Sequence, residues 1–174
     1  MRILGIDPGT CVVGWGVVDV EGSHQRLVAH GVITPPTGAA IEVRLAIISG
    51  ELARIVAEYQ PVEVAIEEVF HAKSAKSAIR LGEGRGAAIA AVTPLPVFAY
   101  SANEVKKAVT SKGGTSKEAV ARMVALILGL AEVPRPLDAT DGLALAVCHA
   151  NRRRNIAPRV DAHRVGPLES ISAQ

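Results

Sequence analysis

The 174-residue sequence contains few cysteines, few aromatic residues and no long apolar run. Its two cysteines, Cys11 and Cys148, are too few for a disulfide framework or a zinc ribbon. No apolar stretch approaches the roughly 18–20 residues of a membrane span, and residues 1–20 lack the features of a signal peptide. We therefore expect a reduced, cytoplasmic protein that does not enter a membrane.

Hydrophobic residues make up 49% of the chain and charged residues 21%, which excludes a disordered protein. The length corresponds to one domain, because domains usually contain roughly 100–200 residues. We place this domain at residues 1–151. Residues 152–174 contain Arg, Pro and Ser without periodicity, and we interpret them as a flexible basic tail.

The net charge of +2 conceals an uneven distribution. Residues 71–117 contain eight basic and two acidic residues, whereas residues 1–70 contain four basic and nine acidic ones. A basic segment is often only a solvated surface. It becomes a candidate surface for nucleic acid if the acidic residues gather beside it.

Hydrophobic periodicity and turn residues predict an α/β domain. Strands are predicted at residues 2–7, 12–20, 27–33, 62–66 and 96–100. Helices are predicted at residues 41–59, 74–92, 102–110, 115–128 and 137–151. This order predicts a five-stranded mixed sheet, antiparallel in its first three strands, with helices on both faces.

Four carboxylates occupy notable positions in this scheme. Asp7 ends the first strand, Glu67 ends the fourth, and Asp138 and Asp141 share one face of the last helix. Taken singly, the two helical acids are typical of a helix cap, and Asp7 is typical of a turn. Glu67 is harder to explain structurally, because a carboxylate that ends an apolar strand is costly to desolvate without a partner.

Together these acids would repel one another unless a cation lay among them. Oxygen ligands without a His or Cys cluster favour Mg²⁺ or Mn²⁺ over zinc. Two such ions about 4 Å apart can promote in-line attack on a phosphodiester. The residues therefore indicate a metal-dependent site for phosphoryl transfer.

Three sequence blocks resemble the bacterial Holliday-junction resolvases of the RuvC family. They are residues 5–10 (GIDPGT) with 14–17 (GWGV), residues 65–70 (AIEEVF), and residues 138–144 (DATDGLA). The resemblance covers roughly residues 1–150. The three blocks taken together are specific for this family.

The resemblance implies a ribonuclease-H-like nuclease domain and a homodimer. It implies that Asp7, Glu67, Asp138 and Asp141 are catalytic and bind two Mg²⁺ ions per site, with Mn²⁺ as a substitute. Glu67, rather than Glu68, fills the acidic position of its block. The implied reaction is the paired, symmetric nicking of four-way junction DNA, which leaves 5′-phosphate and 3′-hydroxyl ends. Implied partners are the branch-migration proteins RuvA and RuvB.

The resemblance also implies residues that contact DNA. Phe70 falls where the family places an aromatic residue at the junction, and Lys106 and Lys117 fall where family lysines approach the cut phosphate. Further candidates for backbone contact are Lys73, Lys76, Arg80 and Arg85. Burial of Phe70 in the core and simple solvation of the lysines remain open alternatives.

Glycines at two places in the predicted helices need an interpretation. Gly142 stands where the family more often has Ala, so we expect a looser helix just after the acids. The glycines of residues 82–86 lie within a helical pattern and not between a strand and a helix, so we reject a nucleotide-binding loop. Small residues there permit close approach by a dimer partner or by the sheet.

Three other functions remain to be weighed. Residues 7–10 also suggest the phosphate-binding turn of sugar and acetate kinases, but 174 residues cannot supply the second domain of those enzymes. A non-catalytic junction-binding module would use only the basic segment. A related nuclease of the same fold would act on RNA.

Overall fold

The computed structural model describes residues 1–68, 74–112 and 114–155. Five strands and five helices follow the predicted order within these residues. The strands are β1 (Arg2–Asp7), β2 (Val13–Glu21), β3 (His24–Ile33), β4 (Glu63–Glu67) and β5 (Val97–Tyr100). The helices are α1 (Ile41–Tyr59), α2 (Ala75–Val92), α3 (Ala102–Thr110), α4 (Lys117–Ile127) and α5 (Leu137–Asn155).

The strands form one sheet in the order β3-β2-β1-β4-β5. Strands β1, β2 and β3 pair antiparallel, whereas β4 pairs parallel with both β1 and β5. The predicted mixed sheet is therefore confirmed. Because β1 and β4 run parallel, their carboxyl ends lie at the same edge of the sheet, where the candidate acids were expected.

Helices cover both faces of this sheet, as predicted. On one face, α5 packs with α3 and α4 around a core that includes Ile3, Val18 and Leu143. On the other face, α1 and α2 pack on Leu4 and Val64. Among the described helices, none is long and apolar enough to cross a membrane.

Helix α5 approaches the sheet closely because glycines lie between them. A methyl group at Gly5 would overlap the carbonyl oxygen of Gly142, and a methyl group at Gly142 would lie 2.5 Å from the Cα of Trp15. The missing side chain lets the helix backbone rest directly on β1 and β2, and α5 continues through Gly142 as one helix. The looser helix expected just after the acids stays a prediction.

Helix α5 also extends to Asn155, four residues beyond its predicted end at Asn151. Arg152 bonds Glu104 at 2.9 Å, and Arg153 bonds Glu63 at 2.7 Å. These ion pairs attach the last turn to α3 and β4, so the predicted tail cannot begin at residue 152. Residues 156–174, the rest of that predicted tail, lie outside the described residues.

Candidate active site

Asp7 and Glu67 end two neighbouring strands at one edge of the sheet. Ile6 is paired with Ile66 in the parallel register, so Asp7 and Glu67 are the next residues along each strand. Both side chains point to the face covered by α5, and their carboxyl groups are close enough for a hydrogen bond. The sheet register alone therefore brings together acids that are 60 positions apart.

This proximity changes the chemistry of Asp7. Burial raises the pKa of Asp7 to about 8, and the hydrogen bond and charge of Glu67 act in the same direction. Near neutral pH the Asp7 carboxyl of the metal-free protein therefore keeps its proton. Such a shift is typical of like charges that share a site without a cation.

Asp138 and Asp141 reach the same region from α5. They lie one turn apart at the start of the helix, and both accept hydrogen bonds from Lys117 in the first turn of α4. The Lys117 ammonium nitrogen is 2.9 Å from Oδ1 of Asp138 and 2.6 Å from Oδ2 of Asp141. This one positive charge therefore offsets part of the negative charge of the second pair of acids.

The pKa shifts of these groups follow from burial and pairing. Burial raises the pKa of Asp141, and the hydrogen bond from Lys117 offsets this only in part. Burial lowers the pKa of Lys117, but its bonds to Asp141 and Asp138 outweigh that effect and raise the pKa above its usual value. Lys117 is therefore fully charged at neutral pH.

The acids open onto a pocket of about 230 Å³ between the sheet edge and helices α3, α4 and α5. Its lining combines charged and apolar side chains. The charged and apolar lining residues are Asp7, Glu67, Lys106, Lys117, Asp141, Ala102, Val105, Val120, Ala144 and Leu145. Carboxylates and ammonium groups in one pocket suit a substrate that has a negatively charged phosphate and needs a cation for its reaction.

The donor set of the pocket fits a hard divalent cation. Carboxylate oxygens are the ligands that Mg²⁺ and Mn²⁺ prefer, and burial makes uncompensated charge here costly. In the part of the chain that the structure describes, no three His, Cys, Asp or Glu side chains already surround a single metal position. Asp138 and Asp141 are instead paired with the ammonium of Lys117.

Of the other residues predicted to contact DNA and described by the structure, one lines the pocket and the rest lie on α2. Lys106 lines the pocket. Lys76 is exposed in the first turn of α2, and Arg80 bonds Glu83 at 2.9 Å within that helix. Arg85 donates from Nε to the backbone oxygen of Glu67 at 3.2 Å, so it supports the end of β4. Phe70 and Lys73 lie outside the described residues.

A buried polar chain beneath α5 was not predicted from the sequence. The Tyr100 hydroxyl lies 2.6 Å from Nδ1 of His149, and Nε2 of His149 lies 2.8 Å from Oε2 of Glu63. Burial lowers the pKa of His149 and raises the pKa of Tyr100 to about 12. Tyr100 therefore donates to a neutral His149, which donates to Glu63. This chain holds α5 on β4 and β5.

Comparisons with known proteins agree on one family. A family model described as crossover junction endodeoxyribonuclease RuvC matches residues 3–149. The crossover junction endodeoxyribonuclease RuvC of Rubrobacter xylanophilus is 46% identical over 154 residues, which cover 87% of this chain and 86% of the relative. The enzyme of the same name from Neisseria meningitidis serogroup A is 44% identical over 163 residues, or 92% and 91% of the two chains.

Solved structures agree with the sequence comparisons. Thermus thermophilus RuvC in complex with a Holliday junction substrate matches with a TM-score of 0.81 and 35% identity, over 89% of this chain and 96% of that chain. The yeast mitochondrial Holliday junction resolvase Ydc2 matches with a TM-score of 0.61 over 88% of this chain and 83% of its own. At 14% identity, the yeast structure supports the fold alone.

Proposed function

Because the chain belongs to the RuvC family of crossover junction endodeoxyribonucleases, we propose that it resolves Holliday junctions by two symmetric nicks during homologous recombination and DNA repair. One observation carries this proposal. Four carboxylates from β1, β4 and α5 converge at one edge of the sheet, beside two lysines that suit a DNA phosphate. Their position at an open edge of the sheet supports contact with a DNA backbone.

In the proposed reaction, a water molecule gives up a proton to solvent and its oxygen bonds to the phosphorus of one junction phosphodiester. The bond from phosphorus to the 3′ oxygen breaks and that oxygen takes a proton from solvent, which leaves a 5′-phosphate and a 3′-hydroxyl. Asp7, Glu67, Asp138 and Asp141 provide the negative charge that holds cations against the phosphate. Lys106 and Lys117 orient the phosphate through its non-bridging oxygens.

We propose that the four acids hold two Mg²⁺ ions, for which Mn²⁺ can substitute. When bound, such ions lower the pKa of the attacking water and stabilise negative charge on the leaving oxygen. The contribution of the protein is to place hard oxygen ligands from three separate elements on one rigid edge. Arg85 supports that edge through the backbone of Glu67.

Paired cuts follow from symmetry if the enzyme is a homodimer. One acid cluster per chain, related by a two-fold axis, presents the same geometry to two opposed strands of a four-way junction. We also propose that the enzyme acts in the cytoplasm together with the branch-migration proteins RuvA and RuvB. Sedimentation of the purified chain tests the dimer, and co-purification with each protein tests the partnership.

Cleavage of defined substrates tests the proposed function. The purified chain is incubated with an immobile four-way junction, a duplex of matching sequence and an RNA hairpin, each with EDTA, Mg²⁺ or Mn²⁺. The junctions should carry several core sequences, because a sequence-selective enzyme cuts only some of them. We expect symmetric nicks in the junction alone, with both metals and never with EDTA.

Two other outcomes would contradict the proposal. Tight binding of the junction without cleavage under any metal would indicate a binding module in which the acids are structural. Cleavage of the RNA hairpin in preference to every junction would assign the chain to a different nuclease of the same fold.

A further inference from the structure

Lys117 contacts the acids directly, in addition to the contact with a DNA phosphate proposed for it. Its ammonium lies between Asp138 and Asp141, at 2.9 and 2.6 Å from their oxygens. A metal ion that used those oxygens would need the same space. Lys117 and a divalent cation therefore compete for one position between the two acids.

The surroundings of Lys117 allow it to leave that position. Its side chain is 44% exposed, and the side chain of Asp138 is 48% exposed, so the contact opens to solvent. A lysine side chain has a flexible four-carbon stem, and its ammonium can move several ångströms without a change in the backbone. Lys117 also lines the pocket that opens above Asp7 and Glu67, into which its ammonium can turn.

We propose that Lys117 is an exchangeable counter-cation: it pairs with Asp138 and Asp141 until a divalent ion displaces it, and its ammonium then turns to the DNA phosphate. Metal binding and phosphate contact are thereby coupled through one side chain. Without metal, Lys117 limits repulsion among the acids. With metal bound to these acids, the Lys117 ammonium is free to contact the phosphate of the substrate. This inference rests on the proposed metal site and assigns a competitor to it.

Metal binding to the DNA-free protein tests the exchange without reference to cleavage. Mn²⁺ is titrated calorimetrically into metal-free wild type, Lys117→Met, Lys117→Arg and Lys107→Met at constant ionic strength. Lys107 is an exposed neighbour of Lys106 on α3 and serves as the matched control. We expect Lys117→Met to bind Mn²⁺ at least about fivefold more tightly than wild type, given the strength of two half-exposed ion pairs. Lys117→Arg keeps the charge and should stay near wild type, as should Lys107→Met.

Thermal unfolding provides a second readout of the same variants. In EDTA, Lys117→Met should unfold at a lower temperature than wild type, because its acids have lost their counter-charge. Added Mg²⁺ should then raise its midpoint more than that of wild type. Because the side chain is half-exposed and methionine is a good helix former, the variant should fold.

The outcomes separate this inference from the proposed function. Mn²⁺ binding by Lys117→Met that is equal to or weaker than that of wild type would overturn the exchange, while the metal site would stand. Absence of Mn²⁺ binding in both wild type and Lys117→Met would overturn the metal site and the exchange together.

Discussion

Gly14 lies directly beneath Asp138, so that a methyl group at Gly14 would overlap the carbonyl oxygen of Asp138. Gly14 is also the register partner of Asp7 on the adjacent strand. A strand residue without a side chain thus lets the start of α5 settle beside the end of β1. This contact sets the distance between Asp7 at the end of β1 and Asp138 at the start of α5.

Replacement of Gly14 by Ala should therefore damage both stability and cleavage. The added methyl group must push the first turn of α5 away from the sheet, and overpacking of this kind costs about 1–3 kcal/mol. Urea unfolding and single-turnover cleavage of a junction measure the two effects. Gly50→Ala is the control, because nothing lies within 4 Å of that position inside α1. It should raise the free energy of unfolding by about 0.5–1 kcal/mol, and equal effects of the two changes would argue against the packing role of Gly14.

The raised pKa of Asp7 predicts how the stability of the metal-free protein depends on pH. In the unfolded chain this carboxyl ionises near its ordinary pKa of 3.8, whereas in the fold it keeps its proton until about pH 8. The contribution of this group to stability is present below pH 4 and is lost as the pH rises to about 8. Thermal unfolding in EDTA should show a falling difference between wild type and Asp7→Asn over that window. A constant difference from pH 5 to pH 9 would contradict the raised pKa of Asp7.

The hydroxyl of Tyr100 should stabilise the fold through His149. Tyr100→Phe removes the donor to Nδ1 of His149 and leaves that buried nitrogen without a partner, which costs about 1–3 kcal/mol. Tyr59→Phe is a matched control, because Tyr59 is only partly buried and the partner of its hydroxyl, the Glu58 carboxylate, is exposed to solvent. Its effect should stay within about 0.5 kcal/mol. Urea unfolding measures the loss in free energy of unfolding for both variants. Equal losses would refute a stabilising role for the hydrogen bond from Tyr100 to His149.

Lys106 should contribute to DNA affinity through its charge. Because it lines the pocket beside the acids, Lys106→Met should weaken junction binding and lower the slope of log affinity against log salt concentration by about 1. Junction binding is measured in EDTA, so that cleavage does not interfere. Lys107→Met, on the exposed neighbouring position, should change the slope less. An unchanged slope for Lys106→Met would show that Lys106 does not contact the DNA.

Much of the fold could be predicted from local sequence. The apolar stripe of α1, the capping residues of α4 and the turn residues after β1 report directly on the elements that contain them. The meeting of Asp7 with Glu67 was also predictable, because each ends a strand and parallel strands end at the same edge.

Contacts between distant elements could not be predicted in this way. Nothing local to Lys117 indicates that its ammonium bonds to two acids some 20 residues away, and nothing local to His149 indicates Glu63 or Tyr100. The glycines of β1 and β2 did carry a signal, since glycine inside a strand often marks the close approach of another backbone. The packing role of Gly142 could not be predicted from helix propensity, which describes the helix alone, whereas its neighbour across the interface is the backbone of Trp15.

The most direct test of the acid cluster compares two adjacent glutamates. Glu67 lines the pocket, whereas Glu68 follows the strand and is not among the pocket residues. Glu67→Gln and Glu68→Gln are each given a four-way junction with Mg²⁺ under single-turnover conditions, and junction binding is measured alongside. We predict that Glu67→Gln binds the junction but loses at least about a hundredfold in cleavage rate, as is usual when an essential catalytic group is removed. We predict that Glu68→Gln cleaves like wild type, and a Glu67→Gln protein that also cleaved at the wild-type rate would contradict the account.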